Sequence, residues 1–340
     1  MKTILRIAAF TFISVIPALC AAPGAEPLTL LRTVSVADVQ GGDFDHFAVD
    51  LKHDRLYVSA EKRQAIEVFN LKTGEHIQTG EGVVKTPHTL AFIPEKNELF
   101  VADGGDGSCL VLDGTDLHLI KRIALEPGPD AGIYDPQTRI FYVGNGGRGA
   151  KADFSYLSEI SVDKGEEVGR IRVEAANLES MAIDHKTGRL YVNLRDQKKI
   201  GVIDLKTKTV VDTWTIPDLN LNTPMAYDAA NHRLFVGARK PGKLYILNSD
   251  NGNVIQVLNA VDISDDMTFD AAHHRIYLSG AEGLDVIAQQ DADHYEIVQK
   301  QDTLGGKTSV YVPQVKQFYV VHTKSDLAPE AGLQIYKVNN

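Results

Sequence analysis

Seven positions, spaced about one repeat apart, carry most of the side chains that could do chemistry: Asp45, His88, Asp130, Glu179, Thr223, Asp265 and Lys307. Five are followed at once by another polar residue: His46, Thr89, Ser180, Asp266 and Thr308. Carboxylates and imidazoles gathered in one place can ligate a divalent metal or move protons. A second set holds Asp103, Asn145, Arg148, Asn193, Arg195, Arg239, Lys240 and His322, mostly cations and amides. Its guanidinium groups suit bidentate contact with a carboxylate or phosphate. No H-E-x-x-H, nucleophile elbow, P-loop or zinc-type cysteine spacing accompanies them, so the sequence nominates a site and not a reaction.

What must position these residues is a repeated run of short strands. Residues 180–216 read as four of them, SMAID, RLYVN, IGVIDL and VVDTWTI, joined by polar turns. β-branched and aromatic residues fill the strands, and Gly, Asp, Asn, Lys and Thr fill the turns. The unit recurs. The first strands end at Asp50, Ile93, Asp135, Asp184, Asp228, Asp270 and Val312, at spacings of 43, 42, 49, 44, 42 and 42 residues. A period in the low forties with four strands per unit predicts an all-β, seven-bladed β-propeller spanning residues 28–338.

Residues 30–36, LLRTVSV, resemble the outer strands of later units but have no unit before them, and the last unit lacks a fourth strand. The N-terminal strand is therefore expected to complete the last blade and close the ring, removing two raw sheet edges. In each unit the innermost strand runs down the channel, so the loop before it and the loop joining strands two and three share one face, the top. That geometry is expected to bring Asp45, His46, His88, Asp130, Glu179 and Asp265 to a channel-mouth cavity, with Asn145, Arg148, Asn193, Arg195, Arg239 and His322 at its rim.

Other features read as scaffold. Asp ends the first strand in five units and Arg opens the second in five; Asp is expected to cap the turn and Arg to pair across it. His53, His232, His273 and His274 fall in these turns and are expected to be solvated. Gly144, Gly146 and Gly149 match G-x-G-x-x-G, but they open no helix, so a dinucleotide site is excluded. The surrounding stretch, residues 144–156, is expected to be a long flexible loop, and residues 323–332 a second one.

The chain begins like a secretory leader over residues 1–22: Lys2 and Arg6, a short apolar core, then Cys20, Ala21 and Ala22. Leu19 stands where a lipid-anchor signal wants a small residue, so simple cleavage and a periplasmic or extracellular location are expected. Removing Lys2 and Arg6 takes the net charge from −10 to −12, which argues against nucleic acid and anionic membrane surfaces. No membrane span is expected. Cys109 is then the only cysteine, expected to be a buried, inert hydrophobe.

The units IDHKTGRLYVN and VDLKHDRLYVS, with AIEVFNLKTGE, resemble the YVTN-repeat propellers and most closely the exported YncE-like proteins. The resemblance spans all seven units and implies a binding or scaffold module. Related propellers include sugar-lactone hydrolases and virginiamycin B lyase, but none of their catalytic motifs matches here. Two functions follow as expectations: a module binding a small molecule or protein on its top face, or a metal-assisted lactonase or lyase using His46, His88 and neighbouring carboxylates. A divalent metal in the channel mouth is the one cofactor this donor set would hold.

Overall fold

In the computed structural model, which describes residues 26–36 and 43–340, the strands form seven four-stranded antiparallel sheets. The expected leader, residues 1–22, lies outside the described residues. Blade 1 comprises Phe44–Asp50, Arg55–Ala60, Ala65–Asn70 and His76–Glu81, from the inner to the outer strand. Inner strands of successive blades touch around a full circle, the last (Thr308–Val312) returning to the first (Phe44–Asp50). The fold is a seven-bladed β-propeller.

The burial pattern explains the ring. Second and third strands such as Arg55–Ala60 and Ala65–Asn70 are buried on both faces, because a neighbouring blade covers each side. Outer strands such as Thr209–Thr215 are largely exposed. The tyrosine of the RLYV strands ties one blade to the next. The hydroxyl of Tyr57 donates to the Gly114 carbonyl at 2.6 Å, that of Tyr191 to Ser249 at 2.9 Å, and that of Tyr319 to Leu71 at 2.5 Å. The last of these joins blade 7 to blade 1.

The N-terminal strand Leu28–Ser35 pairs with Gly332–Val338 as the fourth strand of blade 7, from Leu28 opposite Val338 to Ser35 opposite Gly332. Gln299 of blade 6 also grips it, accepting from the Leu28 amide and donating to the Leu28 carbonyl, both at 2.8 Å. Leu28 itself packs among Tyr277, Phe318 and Tyr336. Ring closure is thus secured by pairing, side-chain hydrogen bonds and apolar burial together.

The turn aspartates cap as expected. Asp50 accepts from the Lys52 and His53 amides, and Asp184, Asp228 and Asp270 repeat the contact. The arginines differ from expectation. Arg55 donates to the Gly114 and Thr115 carbonyls of the next blade, Arg233 pairs with Asp293, and Arg139 bridges Glu95 and Asp163. The side chain is long enough to pass the turn, and the carbonyls and acids of the adjacent blade lie within its reach. The turn histidines are engaged and not merely solvated: His53 and His273 each sit 2.6 Å from their own Asp, His232 3.1 Å from Asp250, and His274 3.2 Å from Gln289.

The long loop of blade 3 is shorter and better held than the sequence suggests. Gly144, Asn145 and Gly146 continue the second strand, pairing with Leu157, Tyr156 and Ser155. Cys109 is fully buried, and burial pushes its thiol pKa up. No helix among the described residues is long and apolar enough to cross a membrane.

Candidate functional site

The local backbone at the channel mouth is irregular in the same way in blade after blade. Pairing of the inner and second strands shifts between Phe44 and Phe47, Pro87 and Leu90, Leu178 and Met181, Asn222 and Met225, and Ser264 and Asp266. The residues inside these shifts are Asp45–His46, His88–Thr89, Glu179–Ser180, Thr223–Pro224 and Asp265. A bulge breaks the in–out alternation of a strand and re-aims its side chains. Most of the chemically able residues therefore sit where the backbone departs from regular pairing. In blades 3 and 7, Asp130 and Lys307 stand just ahead of the inner strand.

The charged residues among them, except His46, line a cavity of about 430 Å³ on the channel axis. Asp45, His88, Asp130, Glu179, Asp265 and Lys307 enter from the inner-strand side, and Arg148, Arg195 and Arg239 from the second-to-third loops. Asp43 and Glu61 also line it and were missed in the sequence. Glu61 occupies the second-to-third loop of blade 1, so the rule that found Arg148 and Arg195 would have found it too.

The groups are tightly coupled. His88 Nδ1 lies 2.8 Å from Asp45 and 3.5 Å from Asp130. Burial alone would depress its imidazole, but the Asp45 hydrogen bond and the two carboxylate charges outweigh it and lift the pKa to about 9. Burial would likewise raise Asp45, yet His46 and His88 hold it well below the usual carboxylate range. Asp130 and Glu61 are raised, by burial first. Glu179 is raised to about 7, by burial and by the charge of Asp130, against the pull of Arg195 2.7 Å away. Asp265 pairs with Arg239 at 3.3 Å and with Lys307, which also reaches Asp43 at 3.4 Å.

Four expected residues do not reach this cavity. His46 does not line it but bonds to Asp266 at 3.1 Å, and the Asp45 and Asp266 carboxylates raise its imidazole pKa well above normal against the burial that would lower it. Asn193 is fully buried, donating to the Thr223 carbonyl and accepting from Asn222. Asn145 is buried too, donating to Ser158 Oγ at 2.8 Å and accepting from the Glu126 amide. His322 is buried against Gly332, and burial lowers its pKa. A polar side chain at the end of a second strand can be spent on packing as readily as on the axis: Asn193 bonds to the next blade, Asn145 mostly within its own blade, and His322 lies against its pairing partner Gly332 in its own blade. Asp103 follows the same logic, fully buried and accepting from the Lys85, Thr86 and Gly105 amides. Thr223 is buried.

Asp45, His88 and Asp130 offer three ligand atoms all within 4.8 Å of one another. Two carboxylates and an imidazole form a reasonable donor set for a divalent metal, provided His88 gives up its proton first.

No family model matches the chain, and no curated protein matches it. Among solved structures, 1707 chains match, so the architecture narrows the function little. One is a chain of a structure described as "Crystal Structure of Mitotic Checkpoint Complex", with a TM-score of 0.73, 12% identity and coverage of 99% of both chains. At that identity the likeness is one of fold alone, and what the chain shares with it is the closed seven-bladed ring.

Proposed function

We propose that this protein is an exported propeller of the YVTN-repeat, YncE-like kind that binds a small polar ligand in the top-face cavity. The observation that carries the reading is that all seven blades contribute to one cavity and that nearly every contributed side chain is charged. Channel mouths are wet, but solvation alone needs no such density of half-buried ionised groups, each costly to desolvate without a partner. The repeat units RLYV and D-x-x-T-G support the family, and the leader-like residues 1–22 support export.

Calorimetric titration of small sugar acids, amines and divalent metals against wild type, His88→Ala, Glu179→Gln and Arg195→Ala tests it. At least one substitution should weaken a wild-type ligand tenfold or more with unfolding unchanged. If none alters any ligand that wild type binds, this protein works elsewhere.

A second reading, metal-assisted lactone hydrolysis or elimination, is favoured by one observation, the three converging donors Asp45, His88 and Asp130. There a bound cation would polarise a carbonyl or activate water. Elemental analysis should then find a stoichiometric divalent metal, lost in Asp130→Asn; a metal-free protein that binds none on titration removes this reading.

A further inference from the structure

Arg148 stands where two cavities meet. One is the axial cavity; the other, about 160 Å³, opens between blades 2, 3 and 4, and His88, Asp130 and Arg148 line both. The remaining wall of this annex is rich in glycine backbone, with short polar side chains such as Thr86, Ser155 and Asn177 and a few apolar ones. Backbone can come so close because Gly147 takes φ +47°, and a Cβ there would overlap the Ala176 carbonyl. The loop bearing Arg148 is pinned: the Arg148 amide donates to the Ala176 carbonyl and the Ala152 amide to Gly147, both at 2.8 Å. The guanidinium is thus presented from a fixed base.

Arg148 differs from the other cations of the cavity. Arg195, Arg239 and Lys307 all have carboxylate partners. The Arg148 side chain has no hydrogen bond or ion pair among the described residues. The carboxylates are unbalanced in the opposite sense. Among the described residues, six carboxyl groups line the axial cavity, while His88, Arg195, Arg239 and Lys307 are its only cations besides Arg148. Glu61 has no ion pair among the described residues, and Asp130 must share His88 with Asp45.

The axis is therefore short of positive charge, and the annex wall holds a guanidinium that acts on Asp130 through its charge but, among the described residues, has no ion pair of its own. A simple anion drawn to Arg148 would face the axial carboxylates, and a simple cation on the axis would face Arg148. A neutral polyol would leave both unmatched. Complementarity asks for both signs in one molecule.

We propose that the ligand is a small zwitterion whose carboxylate is held by Arg148 at the mouth of the annex and whose ammonium group is turned to Asp130 and Glu61 on the axis. This rests on the top-face binding reading above and names its ligand class.

The test is calorimetric titration of the purified protein with glycine, β-alanine, 4-aminobutyrate and 5-aminopentanoate, beside butyrate and butylamine as single-charge controls. One zwitterion should bind at least tenfold tighter than either control. Arg148→Ala should weaken that zwitterion by roughly tenfold or more, the usual loss for a charge-assisted contact, and should not weaken butylamine. Asp130→Asn should weaken the zwitterion and butylamine but not butyrate. Both variants should unfold as wild type does. The proposal is overturned if no zwitterion exceeds both controls, or if Arg148→Ala leaves its affinity unchanged. In that event, any other ligand lost in His88→Ala or Glu179→Gln would leave the top-face reading standing and this inference alone refuted. If those variants change nothing either, both fall.

Discussion

On the lower face of the ring, Asp50, Asp184, Asp228 and Asp270 occupy one turn position and perform one task, each accepting backbone amides two or three residues on. On the top face, the equivalent positions of successive blades hold Asp45, His88, Asp130, Glu179, Thr223, Asp265 and Lys307, and across blades His88 meets Asp45 and Asp130 while Lys307 meets Asp265. The lower face repeats a residue type because a backbone need repeats. The top face repeats a position and varies the type, because all seven blades open onto one shared space. In a ring of repeats, constancy of type marks scaffold, and variety of type at a constant position marks a site.

The largest effect that could break this contrast lies in neither face but in the seam. Deleting Leu28–Ser35 removes the outer strand of blade 7, the Gln299 clamp and the buried Leu28, and leaves an open edge. Thermal unfolding should shift further than for any single substitution, and light scattering should show aggregation; an unchanged transition and size would refute closure. Next comes Asp184→Ala, which strips the Lys186 and Thr187 amides and the Thr187 hydroxyl of their acceptor. Denaturant titration should show a loss of about 1–2 kcal/mol, typical of a lost cap, with ligand binding untouched.

Glu179 sharpens the comparison through pH. Its folded pKa, about 7, lies above its ordinary 4.5, so the folded protein holds that proton more tightly than the unfolded chain. The stability this group contributes is complete below 4.5 and is lost as pH rises towards 7. Glu179→Gln should therefore gain stability relative to wild type between pH 5 and 8 in paired unfolding curves. A pH-independent difference would mean that burial does not govern this carboxyl. The smallest effect belongs to the lower face. Asp113, Asp116 and His118 also bring three donors within 4.8 Å, but Asp116 and His118 are more than half exposed. Asp116→Asn should leave both the denaturant unfolding curve and ligand binding as in wild type.

Much of this was legible in the sequence. The period in the low forties and the orphan strand of residues 30–36 predicted seven blades and their closure, because a strand without a sheet must find one. Equal spacing likewise placed Asp45, His88, Asp130, Glu179 and Asp265 at one mouth. What could not be read was the bulge at Asp45, His88, Glu179 and Asp265, since strand propensity is blind to a skipped pairing. Nor could sequence tell that Asn145, Asn193 and His322 are buried in the packing of the blades while Arg148 faces open space. All four end or follow a second strand, and only the packing of adjacent sheets distinguishes them. The reach of Arg55 and Arg233 into the next blade, and of Arg139 to Glu95 of the preceding one, was hidden for the same reason, because it depends on which turn lies alongside.

The central claim is that the varied top-face positions form the working site and are not needed to hold the ring together. The most direct test is a triple variant, Asp45→Asn, His88→Gln and Asp130→Asn, made neutral together so that no charge is left unpaired. It should be measured for unfolding and, on the same sample, for calorimetric binding of the tightest wild-type ligand among the ω-amino acids and divalent metals. The account predicts a wild-type unfolding transition with binding abolished. A folded triple variant that binds as wild type does would contradict it.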